Sequence, residues 1–266
     1  MRRHTLVSGV IASALVVVGI SAAAGGSGPL TVTAVENEYV MPRTTVAGPV
    51  VSIRFRNAGK ELHEFAFGKI DSGHTLAEVL KAMNRGEEPS WTHDLGGPGP
   101  MTPGADLTVT RVLRPGTYFL FDGTPDHKGV SHSKLGMVRS FKVVGGSNRA
   151  MPKADAVITA LAKRFAIPGL HGGRQTIELR NRAGAPRGFM LASLQPGKSP
   201  ADVERWTKQI ESTGKLPVGP VPMPLLGAMQ TIPSGTSVYV TLMLEKGRAY
   251  HLADDESGIA ADFTPR

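Results

Sequence analysis

An internal repeat constrains the architecture of this chain more than any other feature. A shift of 124 positions lays residues 52–79 over residues 176–203 without a gap. Ile53, Arg56, Asn57, Phe65, Gly73, Ala77 and Val79 coincide with Ile177, Arg180, Asn181, Phe189, Gly197, Ala201 and Val203. Self-similarity at a fixed period means one structural unit used twice. Thr75 with Glu78, and Ser199 with Asp202, have the spacing of a capping box, in which a hydroxyl and an acid three residues on satisfy each other's free backbone N–H groups. Pro200 adds a residue favoured at the first helical position. Leu76, Val79, Leu80 and Met83 then recur at helical spacing, as do Val203, Trp206 and Ile210. Each unit is therefore expected to hold one short amphipathic helix.

The rest of each unit reads as strand. Residues 50–56 and 175–179 alternate apolar and polar, and both lead to an Arg-Asn turn. Residues 64–67 and 188–191 are expected to form the next strands, and 107–113 and 237–244 later ones. The strands after those carry Tyr118 and Tyr250, and the units close near Phe141 and Phe263. Gly145-Gly146-Ser147-Asn148 reads as a linker. Short strands between turn signals predict a β-sandwich for each unit. The Gly-Pro run 96–104 has no lysine in phosphate-loop pattern and is expected to be a plain loop. Glu87-Glu88, just before Pro89, reads as a solvated loop pair.

Arg2, Arg3 and His4 precede a run, 6–20, that is apolar apart from Ser8, Gly9, Ser13 and Gly19. Ala22-Ala23-Ala24 then offers a cleavage site, so 1–24 is expected to be a signal peptide. The alternative is an uncleaved anchor, since 6–24 is nearly long enough to span a bilayer. Cleavage would leave an exported chain, secreted or held at the cell envelope, with no later membrane span. The chain has no cysteine, so its stability has to come from core burial rather than disulfides. Net charge is +8, but the Lys and Arg are dispersed and only 6% of residues are aromatic. A nucleic-acid surface needs a focused basic stripe with stacking partners, so that class is excluded.

One stretch carries chemistry. Pro115-Gly116-Thr117-Tyr118-Phe119-Leu120-Phe121-Asp122 is followed by His132 and then, with four residues between, by Met137. Upstream lie Asn57-Ala58-Gly59 and His63-Glu64-Phe65. This order resembles the ligand strands and loop of the cupredoxins, small copper-binding β-sandwiches, across most of residues 30–145. The resemblance implies an all-β chain of two tandem cupredoxin-like Greek-key β-sandwiches, each with a short helical insertion. The domain at 30–145 would carry the partial metal-site motif, 146–150 a linker, and 151–266 a degenerate copy. It also implies the metal ligands His63, Asp122, His132 and Met137.

Asp122 stands where that family has cysteine. Blue copper needs a soft thiolate beside two imidazoles, whereas a hard carboxylate favours Cu(II) in a more tetragonal N/O geometry, or Zn(II). Such a site would be pale and poor at rapid electron transfer, with Met137 distant or uninvolved. Non-blue copper and no metal at all both stay open. His63 also reads as a buried strand histidine, Met137 as core filler, and Asp122 as a cap for the Gly123-Thr124 turn. His127 reads as a substitute ligand or a solvated loop residue, and His74 and His93 as surface groups.

The second unit matches Arg187 to His63, Asp254 to Asp122 and Ile259 to Met137, and has no counterpart of His132. It is expected to hold no such site, and its aspartate favours a turn role for Asp122. Paired His-x-His motifs and a cysteine loop, which copper oxidases need, are missing, and no Gly-x-Ser-x-Gly elbow accompanies Ser131-His132. The expectation is a non-enzymatic protein in copper handling or slow redox chemistry. The alternative is a metal-free interaction module for an extracellular or cell-envelope protein partner.

Overall fold

The computed structural model describes residues 28–219 and 221–266. The expected signal peptide lies outside the described residues. Among them, the first repeat contributes β1 (Leu30–Val35), β2 (Glu38–Val40), β3 (Thr45–Ala47), β4 (Val50–Asn57), β5 (His63–Ile70), α1 (Leu76–Asn84), β6 (Thr92–Asp94), β7 (Gly99–Met101), β8 (Asp106–Val112), β9 (Gly116–Phe121) and β10 (Val138–Val144). The second contributes β11 (Ala156–Leu161), β12 (Arg164–Ala166), β13 (Gly173–Asn181), β14 (Arg187–Ser193), α2 (Pro200–Thr213), β15 (Leu225–Ile232), β16 (Ser237–Leu244), β17 (Tyr250–Asp254) and β18 (Ile259–Phe263). The described residues are all-β apart from the two helices that the capping boxes mark.

Strand pairings in the two segments correspond. β1 runs parallel to β4 with Leu30 opposite Ile53, and β11 runs parallel to β13 with Ala156 opposite Ile177. β4 then pairs antiparallel with β8, and β13 with β16. β5, β9 and β10 form a second antiparallel set matched by β14, β17 and β18. Equivalent side chains do equivalent work: Phe65 and Phe189 are both completely buried, as are Asn57 and Asn181. Burying a phenylalanine contributes about 2–3 kcal/mol, which explains why the apolar positions of the repeat coincide.

Both sheets cross from one repeat to the other. β8 pairs with β16, from Tyr239 opposite Thr110 to Leu242 opposite Leu107. β7 meets β15 with Met101 opposite Leu226. The result is an eight-stranded sheet in the order β12-β11-β13-β16-β8-β4-β1-β2 facing a ten-stranded sheet in the order β18-β17-β14-β15-β7-β5-β9-β10-β3, with β6 beside β5. One continuous apolar core fills the space between them, drawing on Phe55, Phe65 and Phe141 as well as Phe189, Val240 and Leu252.

The segment expected to be a plain loop is the joint. Residues 96–104 include β7, which lies between β5 and β15. Its glycines permit close approach: a Cβ on Gly97 would come 2.0 Å from the Phe65 carbonyl oxygen, and one on Gly99 2.7 Å from Met190 Cε. Both have positive φ, 147° and 77°, which glycine adopts without strain. Glycine and proline ordinarily break strands, so the composition hid a strand built on backbone contact.

The helices form as their caps predict. The Thr75 N–H donates to Glu78 Oε2 at 2.7 Å while Thr75 Oγ1 accepts from the Glu78 N–H at 3.3 Å. Asp202 Oδ2 accepts from the Ser199 N–H at 2.8 Å, and α2 ends at Gly214 in the left-handed region. α1 buries Val79 and Ala82 and packs through Val79 onto Ile70 and Phe119.

Candidate metal centre

Three buried side chains meet where β5, β9 and the loop after β9 converge. His63 opens β5 and Asp122 follows the last residue of β9. His132 sits in the returning arm of the loop, whose N–H donates to the Thr124 carbonyl at 3.0 Å. His63 is 1% exposed, Asp122 0% and His132 1%. His63 Nδ1 lies 2.8 Å from Asp122 Oδ2, and His132 Nδ1 lies 3.3 Å from the same oxygen. The imidazole centroids are 4.7 Å apart. One donor atom from each of the three residues falls within 4.8 Å of the others.

The local sequence explains the placement. Asn57 ends β4, where its Nδ2 donates to the carbonyls of Glu61 at 2.8 Å and Met101 at 2.7 Å, and its Oδ1 accepts from the Gly59 N–H at 2.9 Å. That Asn-x-Gly turn delivers His63 into the core side of β5. A side chain at residue 59 would intrude, because a Cβ there would come 2.8 Å from His63 Nε2. Asp122 Oδ1 accepts from the Thr124 N–H at 2.9 Å and from Thr124 Oγ1 at 2.5 Å. The turn-capping role read from the sequence is therefore present, while Oδ2 faces both histidines.

Electrostatics bind the group together. Burial pushes the Asp122 carboxyl up, but hydrogen bonds from His132, His63 and Thr124 outweigh it and hold the carboxyl below its ordinary range. Burial pushes His132 down, yet Asp122 and Glu61 together carry it above its ordinary value. Glu61 Oε2 lies 3.3 Å from His132 Nε2, so the ring sits between two carboxylates. His63 Nε2 is buried and has no hydrogen-bond partner. With Nδ1 donating to Asp122, Nε2 is left as a bare acceptor in the neutral ring.

Met137 is fully buried and belongs to the main core, and its carbonyl accepts from the Asp122 N–H at 3.1 Å. Its backbone adjoins the three polar residues and its side chain has a packing role. His127 is neither isolated nor merely solvated: Nδ1 donates to the Leu216 carbonyl at 2.8 Å, and Nε2 lies 3.3 Å from Glu61 Oε1. It ties the loop to the second repeat. His93 pairs with Asp71 at 2.9 Å, and His74 stacks on Trp91 with centroids 4.1 Å apart, both away from the group. Glu61 was missed from the sequence, since beside Lys60 it carries no motif signal, whereas Thr124 was legible as part of the turn that Asp122 caps.

The second repeat keeps the aspartate and changes its partner. Arg187 Nε lies 3.5 Å from Asp254 Oδ2, the Gly188 N–H donates to Asp254 Oδ1 at 3.0 Å, and Ser257 Oγ donates to Oδ2. Asp254 pairs with Ile259 across β17 and β18, as the alignment of Ile259 with Met137 requires.

No family model and no curated protein matches the sequence. Among solved structures, the dithionite-reduced auracyanin from the photosynthetic bacterium Roseiflexus castenholzii aligns at 19% identity over 45% of this chain and 99% of its own, with a TM-score of 0.34. A multicopper oxidase aligns at 14% over 89% of this chain and 88% of its own, TM-score 0.28. The copper nitrite reductase from Nitrosomonas europaea aligns at 15% over 90% of this chain and 94% of its own, TM-score 0.25. Likeness at these values transfers no residue's role. No helix among the described residues is long and apolar enough to cross a membrane.

Proposed function

We propose that the chain is an exported, non-enzymatic, cupredoxin-like protein that holds a non-blue divalent metal, copper(II) above all, at His63, Asp122 and His132. One observation carries the reading: both histidine Nδ1 atoms converge on a single buried carboxylate oxygen, at 2.8 and 3.3 Å. Bonds of about 2.0–2.2 Å at near-right to tetrahedral angles put neighbouring donors roughly 2.8–3.6 Å apart. These two separations fall in that interval, and all three donor atoms lie within 4.8 Å of one another, which supports an ion held among them. Two imidazoles and a carboxylate form a hard N/O set, for which copper(II) has the highest affinity among the common divalent ions. Met137, whose side chain packs in the main core, is left out of this ligand set. Burial of all three ligands supports holding or handling the ion over turning over a substrate. The matched strand pairs of the two repeats support tandem Greek-key sandwiches fused along their edges, and Arg2, Arg3 and the apolar run after them support export.

The second repeat favours a competing reading. Arg187 and Asp254 show that the same corner can be closed by an ion pair, as in a metal-free interaction module. Two substitutions separate the readings. Asp122→Cys would complete a thiolate and two imidazoles, so with copper(II) it should turn intensely coloured where the parent stays pale. The double substitution His63→Ala and His132→Ala should abolish copper uptake. A colourless Asp122→Cys protein, folded and exposed to copper, would count against the metal reading.

A further inference from the structure

The outer face of the ten-stranded sheet carries a cleft with a composition unlike the rest of the chain. It has a volume of about 1130 Å³ and is lined from both repeats. Phe119, Phe121, Met83 and Met190 form an apolar lining, and Val203 of α2 joins it from the second repeat. α2 carries Val203, Trp206 and Ile210 at helical spacing, yet none of the three is buried, whereas α1 buries Val79 and Ala82 on the sheet. An amphipathic helix ordinarily sets its apolar stripe against a core. Here Val203 of that stripe borders the cleft.

Charge identifies what would fill it. Glu64, Asp94, Glu88, Asp255 and Glu256 line the cleft, while no Lys or Arg does so among the described residues. The whole chain carries +8, so the local sign is opposite to the global one. Glu64 is held in place by the Gln230 side chain at 2.6 Å and the Gly123 N–H at 2.9 Å. Neither partner cancels its charge. A concave site with aromatic and thioether walls and fixed carboxylates suits a ligand with an apolar body and a positive group.

We propose that this cleft binds an organic cation with an apolar body. The proposal does not rest on the metal reading, since the cleft lies on the opposite side of β5 from His63. Dansylcadaverine, a flat aromatic group bearing a terminal ammonium, is the probe, with its N-acetylated form as neutral control and dansylglycine as anionic control. Fluorescence titration of the mature chain should give saturable binding of the cation, about tenfold tighter than the neutral form and weakening with salt. The triple substitution Glu88→Gln, Asp255→Asn and Glu256→Gln lies outside the core and should keep the circular dichroism of the parent. It should weaken the cation about fivefold or more and leave the neutral control unchanged. Equal affinity for the three probes, no saturable binding, or an unaltered cation affinity in the triple variant would overturn the proposal.

Discussion

Asp122 does two things at once: Oδ1 closes the turn through Thr124, and Oδ2 gathers two histidines. Removing its charge leaves the raised imidazolium of His132 with Glu61 alone. Asp122→Asn should therefore lower the unfolding free energy of the metal-free chain by about 3 kcal/mol, the usual loss when one partner of a buried pair is removed. Urea denaturation measures this, and an unchanged midpoint would contradict it. The pH dependence follows from the same pair. His132 is raised in the folded state, so its contribution is complete below the ordinary histidine pKa and is lost as pH rises through the folded value. Asp122 is lowered, so its contribution is complete above the ordinary carboxylate pKa and is lost as pH falls through the folded value. Thermal midpoints of the metal-free chain should form a plateau between these limits, and Asp122→Asn should flatten the fall on both sides.

At the scale of elements, the repeat makes paired predictions. Asn57 and Asn181 each donate twice and accept once at equivalent corners, with Asn181 Nδ2 reaching the Ala185 carbonyl at 2.8 Å and Ile232 at 2.7 Å. Replacing either by alanine should destabilise the fold by about 2 kcal/mol, since buried carbonyls lose their donor. Gly97→Ala should cost at least as much, because its Cβ would strike the Phe65 carbonyl oxygen. Chemical denaturation of the three variants checks both statements. Much of this was legible in the chain: the capping residues Thr75 and Ser199 sit where the helices start, and alternation marked β4 and β13. Other parts were hidden for physical reasons. β7 is Gly99-Pro100-Met101 inside a glycine- and proline-rich run, whose residue types announce a turn while its backbone makes the joint. His127 looked like a loop histidine because its partner, Leu216, is far away in sequence. The pair of histidines could be aligned with Asp122 by their order, but their convergence on one oxygen is a matter of distance that spacing cannot encode.

For the whole molecule, the shared sheets set the cooperative unit. β8 with β16 and β7 with β15 join the repeats, and the core is continuous across them. Splitting the chain at the 146–150 segment would bare the edges of both sheets, which invites aggregation. Calorimetry of the chain should give one transition whose van't Hoff and calorimetric enthalpies agree, and two resolved transitions would contradict a shared core. Copper(II) titration followed by equilibrium dialysis and electron paramagnetic resonance reads out binding at His63, Asp122 and His132. One copper(II) per chain is expected, with a tetragonal nitrogen and oxygen signal that is lost when His63 and His132 are both replaced by alanine. A folded parent chain that retains no copper(II), or a double variant that retains as much as the parent, would contradict it.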